Sequence, residues 1–70
     1  MTLSQALTAE RERQGKTILT VALAAGVPPS RAHGVLTGTT PDPRFSTVAK
    51  LLGALGRSFA WLEKKMKEPK

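Results

Sequence analysis

The sequence has no cysteine and no tyrosine, a single histidine (His33), and five acidic residues against eleven Lys and Arg. Each scarcity excludes something. Without cysteine there is no disulfide to reinforce a chain of 70 residues, a size that buries only about 60% of the surface its unfolded form exposes. A structural zinc site takes four ligands, usually Cys or His, so neither a metal nor another cofactor is expected. The carboxylates Glu10, Glu12, Glu63 and Glu68 read as lying on charged helix faces. With one imidazole and no thiol they form no nucleophile–base set and no paired carboxylates, which argues against an enzyme. No apolar run approaches the roughly 18 residues of a membrane span, and the opening MTLSQALTAERE lacks the cationic and apolar parts of a signal peptide. A cytoplasmic protein is expected.

What is present in excess is positive charge, a formal net of +6 and a pI near 10.6. Such a surface either keeps a small protein soluble or attracts a polyanion, and the size of the excess favours the polyanion. A helix lying on a membrane surface would gather its cations behind one apolar stripe. Here they are spread along the chain: Arg11, Arg13 and Lys16 early, Arg31 and Arg44 in the middle, Lys64, Lys65, Lys67 and Lys70 at the end.

The periodicity predicts five helices, no internal repeat and one domain over residues 1–70. Thr2 with Gln5 forms a capping box for a first helix of about 13 residues whose apolar face is Leu3, Ala6, Leu7 and Ala9, and Gly15 stops it. Thr17 caps a second, TILTVALAAG, with Ile18, Val21, Ala22 and Ala25 on one stripe. Its Val and Thr content makes a strand over 17–23 the rival reading, but no second β-like run exists to pair with it. Pro28 and Pro29 hold the chain extended, and Pro29 suits the first position of a third helix with Ala32, Val35 and Leu36 inward. Gly34 within that helix costs about 1 kcal/mol relative to Ala, which calls for a reason. TGTTPDP is the long connector. Asp42 and Pro43 are then expected to start a fourth helix striped by Phe45, Val48, Leu51, Leu52 and Leu55, ended by Gly56. Ser58 caps a fifth carrying Phe59, Leu62 and Met66 on one side and Trp61 elsewhere, with residues from about 64 to 70 fraying into a basic tail.

Val21-Ala22, Gly26-Val27, Ala32, Val35 and Gly38, followed by PRFSTVAKLLGALG and preceded by Arg11, resemble the Cro and lambda-repressor-like helix-turn-helix family. The resemblance spans roughly residues 3 to 62, with the motif at about 17–38. It implies an all-α, five-helix lambda-repressor-like DNA-binding domain. The second half is also similar to antidote proteins of toxin–antitoxin addiction modules. Departures from the family pattern are Ile18 where a glutamine is common, Leu36 where a glutamate is common, and Pro29, Ser30 and Gly34 on the face expected to be exposed. Without that glutamate, Arg11 is expected to be free for phosphate or solvent.

The implied DNA contacts are Pro29, Ser30, Arg31, His33 and Gly34 on the third helix, bracketed by Lys16, Thr17, Thr37, Thr39, Thr40 and Arg44 at positions that resemble the family's phosphate clamps. Arg31 can pair bidentately with guanine, though its phase at the edge of the face favours phosphate. Ser30 and His33 are either contacts or ordinary surface residues. Gly34 either lets the helix approach the groove closely or concedes space to another element. Ser58, Trp61 and Lys65 are expected to form a twofold contact, the alternative for Trp61 being a place in the monomer core. The reading is a small repressor binding operator DNA as a homodimer in the nucleoid. Its rivals are an antidote or adaptor that masks a partner protein such as a toxin, and a non-specific DNA binder.

Overall fold

A computed structural model describes residues 2–68. Thr2 opens α1, Leu3–Arg13: its hydroxyl accepts the Gln5 amide at 3.2 Å while Gln5 Oε1 accepts the Thr2 amide at 3.0 Å. The expected capping box is therefore present, on a helix of 11 residues that turns off at Gln14 and Gly15. Ala6, Leu7 and Glu10 are its buried side chains, whereas Ala9 is exposed.

Residues 18–23 resolve as helix, with Thr17 as the cap ahead of them. In α2, Ile18–Ala25, the Thr17 hydroxyl accepts the Thr20 amide at 3.1 Å, and there is no strand among the described residues for a β-run to join. The chain then reverses through Gly26, at φ 69 and ψ 30, a left-handed backbone that costs a residue with a Cβ about 1–2 kcal/mol. Val27 follows, buried in the core, so the turn is fixed from both sides. Pro29 is the first residue of α3, Pro29–Thr37, which buries Ala32, Gly34, Val35 and Leu36.

The fourth helix starts later than expected. Pro41 and Asp42 form a bend, Pro43 disfavours a helical conformation at Asp42, and the chain stays non-helical up to Arg44, whose carbonyl accepts the first helical bond from the Val48 amide at 3.0 Å. α4 is thus Phe45–Ala54 with Arg44 as an N-cap that makes no side-chain bond, and Asp42 does not cap it. Val48, Leu51, Leu52 and Leu55 are buried as the stripe requires, joined by Thr47. Phe45 is not: the Phe59 ring stacks on it, yet it is 73% exposed.

α5, Phe59–Lys67, begins at Ser58, whose hydroxyl accepts the Trp61 amide at 3.3 Å. Lys64, Lys65 and Lys67 lie in its last turn rather than in a frayed tail, for cations at a helix C-terminus complement its dipole. Lys70 lies outside the described residues. Leu62 is buried, Phe59 and Trp61 pack partly against the core, and Met66 is exposed.

α2 packs against α3 and α4, while α1 closes the other side against α3 and α5. The small residues Ala22 and Ala32 are fully buried, one on each of the packed helices α2 and α3.

Candidate nucleic-acid interface

Because Ala32, Val35 and Leu36 face the core, the outer face of α3 carries Pro29, Ser30, His33 and Thr37, all exposed. Arg31, also exposed, lies to one side. There it lines a cleft of about 200 Å³ together with Val35, Thr40, Asp42, Pro43, Arg44 and Thr47. The structure thus brings Arg31 and Arg44 to one cleft between α3 and the start of α4. Neither takes part in an ion pair among the described residues.

The helix starts differ in a way that bears on the same surface. α1, α2 and α5 are capped by Thr2, Thr17 and Ser58, whereas α3 and α4 have no side-chain cap. The first amides of α3 and α4 are consequently left without a side-chain acceptor beside Arg31 and Arg44, and amides at a helix start attract anions.

The bracketing residues are more engaged than the sequence suggested. Lys16 Nζ donates to the Ala54 carbonyl at 3.1 Å, at the end of α4. The Thr17 hydroxyl, besides capping, lies 2.9 Å from that of Thr20. Thr37 donates its hydroxyl to the His33 carbonyl at 2.7 Å, and Thr39 donates to the Gly34 carbonyl at 3.4 Å. Thr37 and Thr39 are exposed and Thr40 half-buried.

Gly34 does not belong to the exposed face. It is buried, and a Cβ built there would meet the Thr40 hydroxyl, with Thr39 Oγ1 3.6 Å away. Its carbonyl accepts both the Thr39 and Thr40 amides, at 3.0 and 3.1 Å. The missing side chain makes room for the loop that leads to Arg44, and not for a DNA groove.

Two further expectations are corrected. Arg11 is not free: its Nη1 donates to the Lys16 carbonyl at 2.8 Å, and its Nε is buried without a partner. The side chain of Leu36, standing where the family resemblance led one to expect a glutamate, has no acceptor to offer Arg11. Glu10 does not lie on a charged outer face. It is 5% exposed, and its carboxylate accepts Arg13 Nη2 at 2.6 Å, Arg13 Nε at 3.0 Å, Gln14 Nε2 at 2.7 Å and Arg57 Nε at 2.9 Å. Gln14 continues to the Leu55 carbonyl at 2.8 Å, so the end of α1 is tied to the α4–α5 corner. The Arg13 hydrogen bond, followed by those of Gln14 and Arg57, outweighs burial and lowers the Glu10 carboxyl from 4.5 to about 2. The spacing Leu3, Leu7, Glu10, Gln14 already placed Glu10 on the apolar stripe of α1, a signal that its charge obscured.

Ser58, Trp61 and Lys65 are each engaged within the chain itself. Ser58 caps α5, Lys65 Nζ lies 3.5 Å from Glu68, and Trp61 packs partly on the core with the Arg57 guanidinium 5.4 Å from its ring centroid.

No helix among the described residues is long and apolar enough to cross a membrane, and no His, Cys, Asp or Glu cluster among them could hold a metal ion. A helix, a left-handed glycine turn and a second helix with one face buried and the other open form the frame of a helix-turn-helix protein. A helix-turn-helix family model matches residues 7–62. The chain belongs to the Cro and lambda-repressor-like helix-turn-helix family, a family of DNA-binding transcription regulators. No curated protein and no solved structure matches it.

Proposed function

We propose that this chain is a small repressor-type regulator that binds double-stranded operator DNA as a homodimer. Half-sites would lie about one helical turn apart, the spacing that lets two recognition helices enter successive major grooves. The observation that carries the reading is the junction of α3 and α4: two guanidiniums, Arg31 and Arg44, with no ion pair among the described residues, beside two helix starts without side-chain caps. Phosphate contacts of this kind supply most of the grip, while base edges supply the choice.

For base reading, α3 offers Ser30, Arg31 and His33. Pro29 contributes shape and Thr37 a hydroxyl already donated to the backbone. Thr17, Thr39 and Thr40 flank the helix as secondary backbone contacts, and Lys16 joins them only by releasing the Ala54 carbonyl. With so few polar probes, much of the selectivity is assigned to DNA shape and half-site spacing.

Titration of labelled DNA from the chain's own upstream region, against a scrambled fragment, at two salt concentrations tests the reading. A regulator prefers its own site by about 10³ or more. Equal affinity for both fragments with a steep salt slope would make it a non-specific binder. No binding to either at low salt would refute DNA binding and leave the masking of a protein partner.

A further inference from the structure

Thr8, Arg11 and Glu12 stand three and four residues apart and so share one side of α1. That side does not close fully on α3. A cleft of about 400 Å³ lies there, and its walls include Thr8, Ala9, Arg11 and Glu12 of α1, Ile18 at the start of α2 and Leu36 of α3. The volume falls within the roughly 300–1,000 Å³ of small-molecule sites. The Thr8 hydroxyl, donating to the Leu36 carbonyl at 2.6 Å, ties α1 to α3 beside it.

The cleft carries two opposite charges that the chain leaves unmatched. Arg11 is half-buried and donates from Nη1 to the Lys16 carbonyl, while its Nε is buried with no hydrogen-bond partner. Glu12 is exposed. Neither takes part in an ion pair among the described residues, with the other or with anything else. A buried charged donor without an acceptor bears its desolvation cost uncompensated, and the Leu36 side chain on the α3 wall offers none.

A carboxylate supplies what Arg11 lacks. It takes a guanidinium through two N–H groups at once, here Nε and a terminal nitrogen, with the Arg11 side chain giving toward the cleft to present Nε. A ligand with a carboxylate alone would also meet the negative charge of Glu12, whereas one with an ammonium group beside its carboxylate turns that charge into a second contact. The other walls, Ala9, Ile18 and Leu36, are apolar. We propose that this cleft binds a free α-amino acid with an apolar side chain, its carboxylate on Arg11, its ammonium toward Glu12 and its side chain against Ile18 and Leu36. The Arg11 contact supplies more of the affinity, because Glu12 is exposed and its field is screened by salt. Arg31 and Arg44 take no part, so the site stands apart from the DNA reading.

Nuclear magnetic resonance titration of the full chain with L-leucine, without DNA, tests this. Saturable shifts on the order of millimolar are expected for so small a ligand, concentrated at the amides of Ala9, Glu12 and Leu36. Leucinamide, which lacks the carboxylate, and Arg11→Gln should each weaken binding about tenfold or more. 4-Methylpentanoate, which lacks the ammonium, and Glu12→Gln should each weaken it about threefold. Ala9→Leu narrows the cleft from an exposed position and keeps both charges, so it should abolish binding in a chain whose circular dichroism is unchanged. No saturation at about tenfold above millimolar, leucinamide as tight as leucine, or full binding by Ala9→Leu overturns the proposal. Tighter binding of 4-methylpentanoate than of leucine overturns it too, and would make the ligand a simple carboxylate. Binding is read without DNA, so failure here leaves the regulator standing, and failure of operator preference leaves this site standing.

Discussion

Glu10→Gln should be among the most damaging single substitutions in the domain, despite lying outside the proposed DNA-binding surface. The substitution keeps the shape of the side chain and removes its charge from two guanidinium groups. Breaking a buried ion pair by neutralising one partner costs about 3–5 kcal/mol. Here Arg13 is 61% and Arg57 35% exposed, so both can turn to water, and about 2 kcal/mol is the better expectation. A chain of this length has on the order of 4–10 kcal/mol in total, so the loss is a large share. The sign of the pH dependence follows from the lowered carboxyl. Since it titrates at about 2 in the folded protein rather than at 4.5, its stabilisation is complete above about pH 4.5 and is lost as the pH falls toward 2. Urea unfolding followed by circular dichroism, for both proteins at about pH 7 and at about pH 2, measures this. The wild-type advantage should shrink toward zero at the acid end. A gap that is equal at both pH values, or below about 0.5 kcal/mol at neutral pH, would mean that the network contributes nothing net, as for many surface pairs.

Gly34→Ala should destabilise the domain by about 1–2 kcal/mol, since overlap with Thr40 outweighs the gain of about 1 kcal/mol in helix propensity; Thr40→Ala in the same chain should reverse the sign in thermal unfolding. Arg31→Ala should weaken operator binding about tenfold or more, and unchanged affinity in a fluorescence titration would place the reading surface on another helix. Arg44→Ala should weaken binding to all sequences alike and reduce the slope of log affinity against log salt by about 1. Ser58→Ala should cost about 1 kcal/mol through loss of the α5 cap, seen as a lower urea midpoint with an unchanged slope.

The legible parts of the fold were those set by local chemistry. Thr2, Thr17 and Ser58 each cap the helix that follows, because a hydroxyl one residue ahead of an apolar-periodic run satisfies an amide without help from elsewhere. Gly26 and Pro29 fix the turn and the start of α3 in the same way. The start of α4 differs from the expectation because Asp42-Pro43 satisfies the local rule for a helix start, whereas the preceding loop is anchored on Gly34 and the chain stays non-helical until Arg44. Phe45 had the phase of a core residue, yet phase says which side a residue faces and not whether anything lies there.

For the proposed DNA-binding surface, sequence and family pattern together pointed to Arg31, Ser30 and His33, and the outer face of α3 carries Ser30 and His33 exposed. Gly34 was assigned to the wrong side, since glycine has no hydropathy signal with which to vote. Arg11 and Lys16 looked like free cations, and both are bonded to backbone carbonyls, contacts that sequence spacing does not encode.

By itself the sequence determined five helices, their caps, the turn between α2 and α3, the family, and a positive charge suited to a polyanion. These follow from interactions within a few residues and from composition. Only the tertiary structure decided that Glu10 is buried under Arg13, Gln14 and Arg57, that Gly34 makes room for a loop, that Arg31 and Arg44 share a cleft, and that Phe45 meets Phe59 and stays largely exposed. Each of those joins residues distant in the chain, and a charge or ring finds such a partner only once the helices have packed.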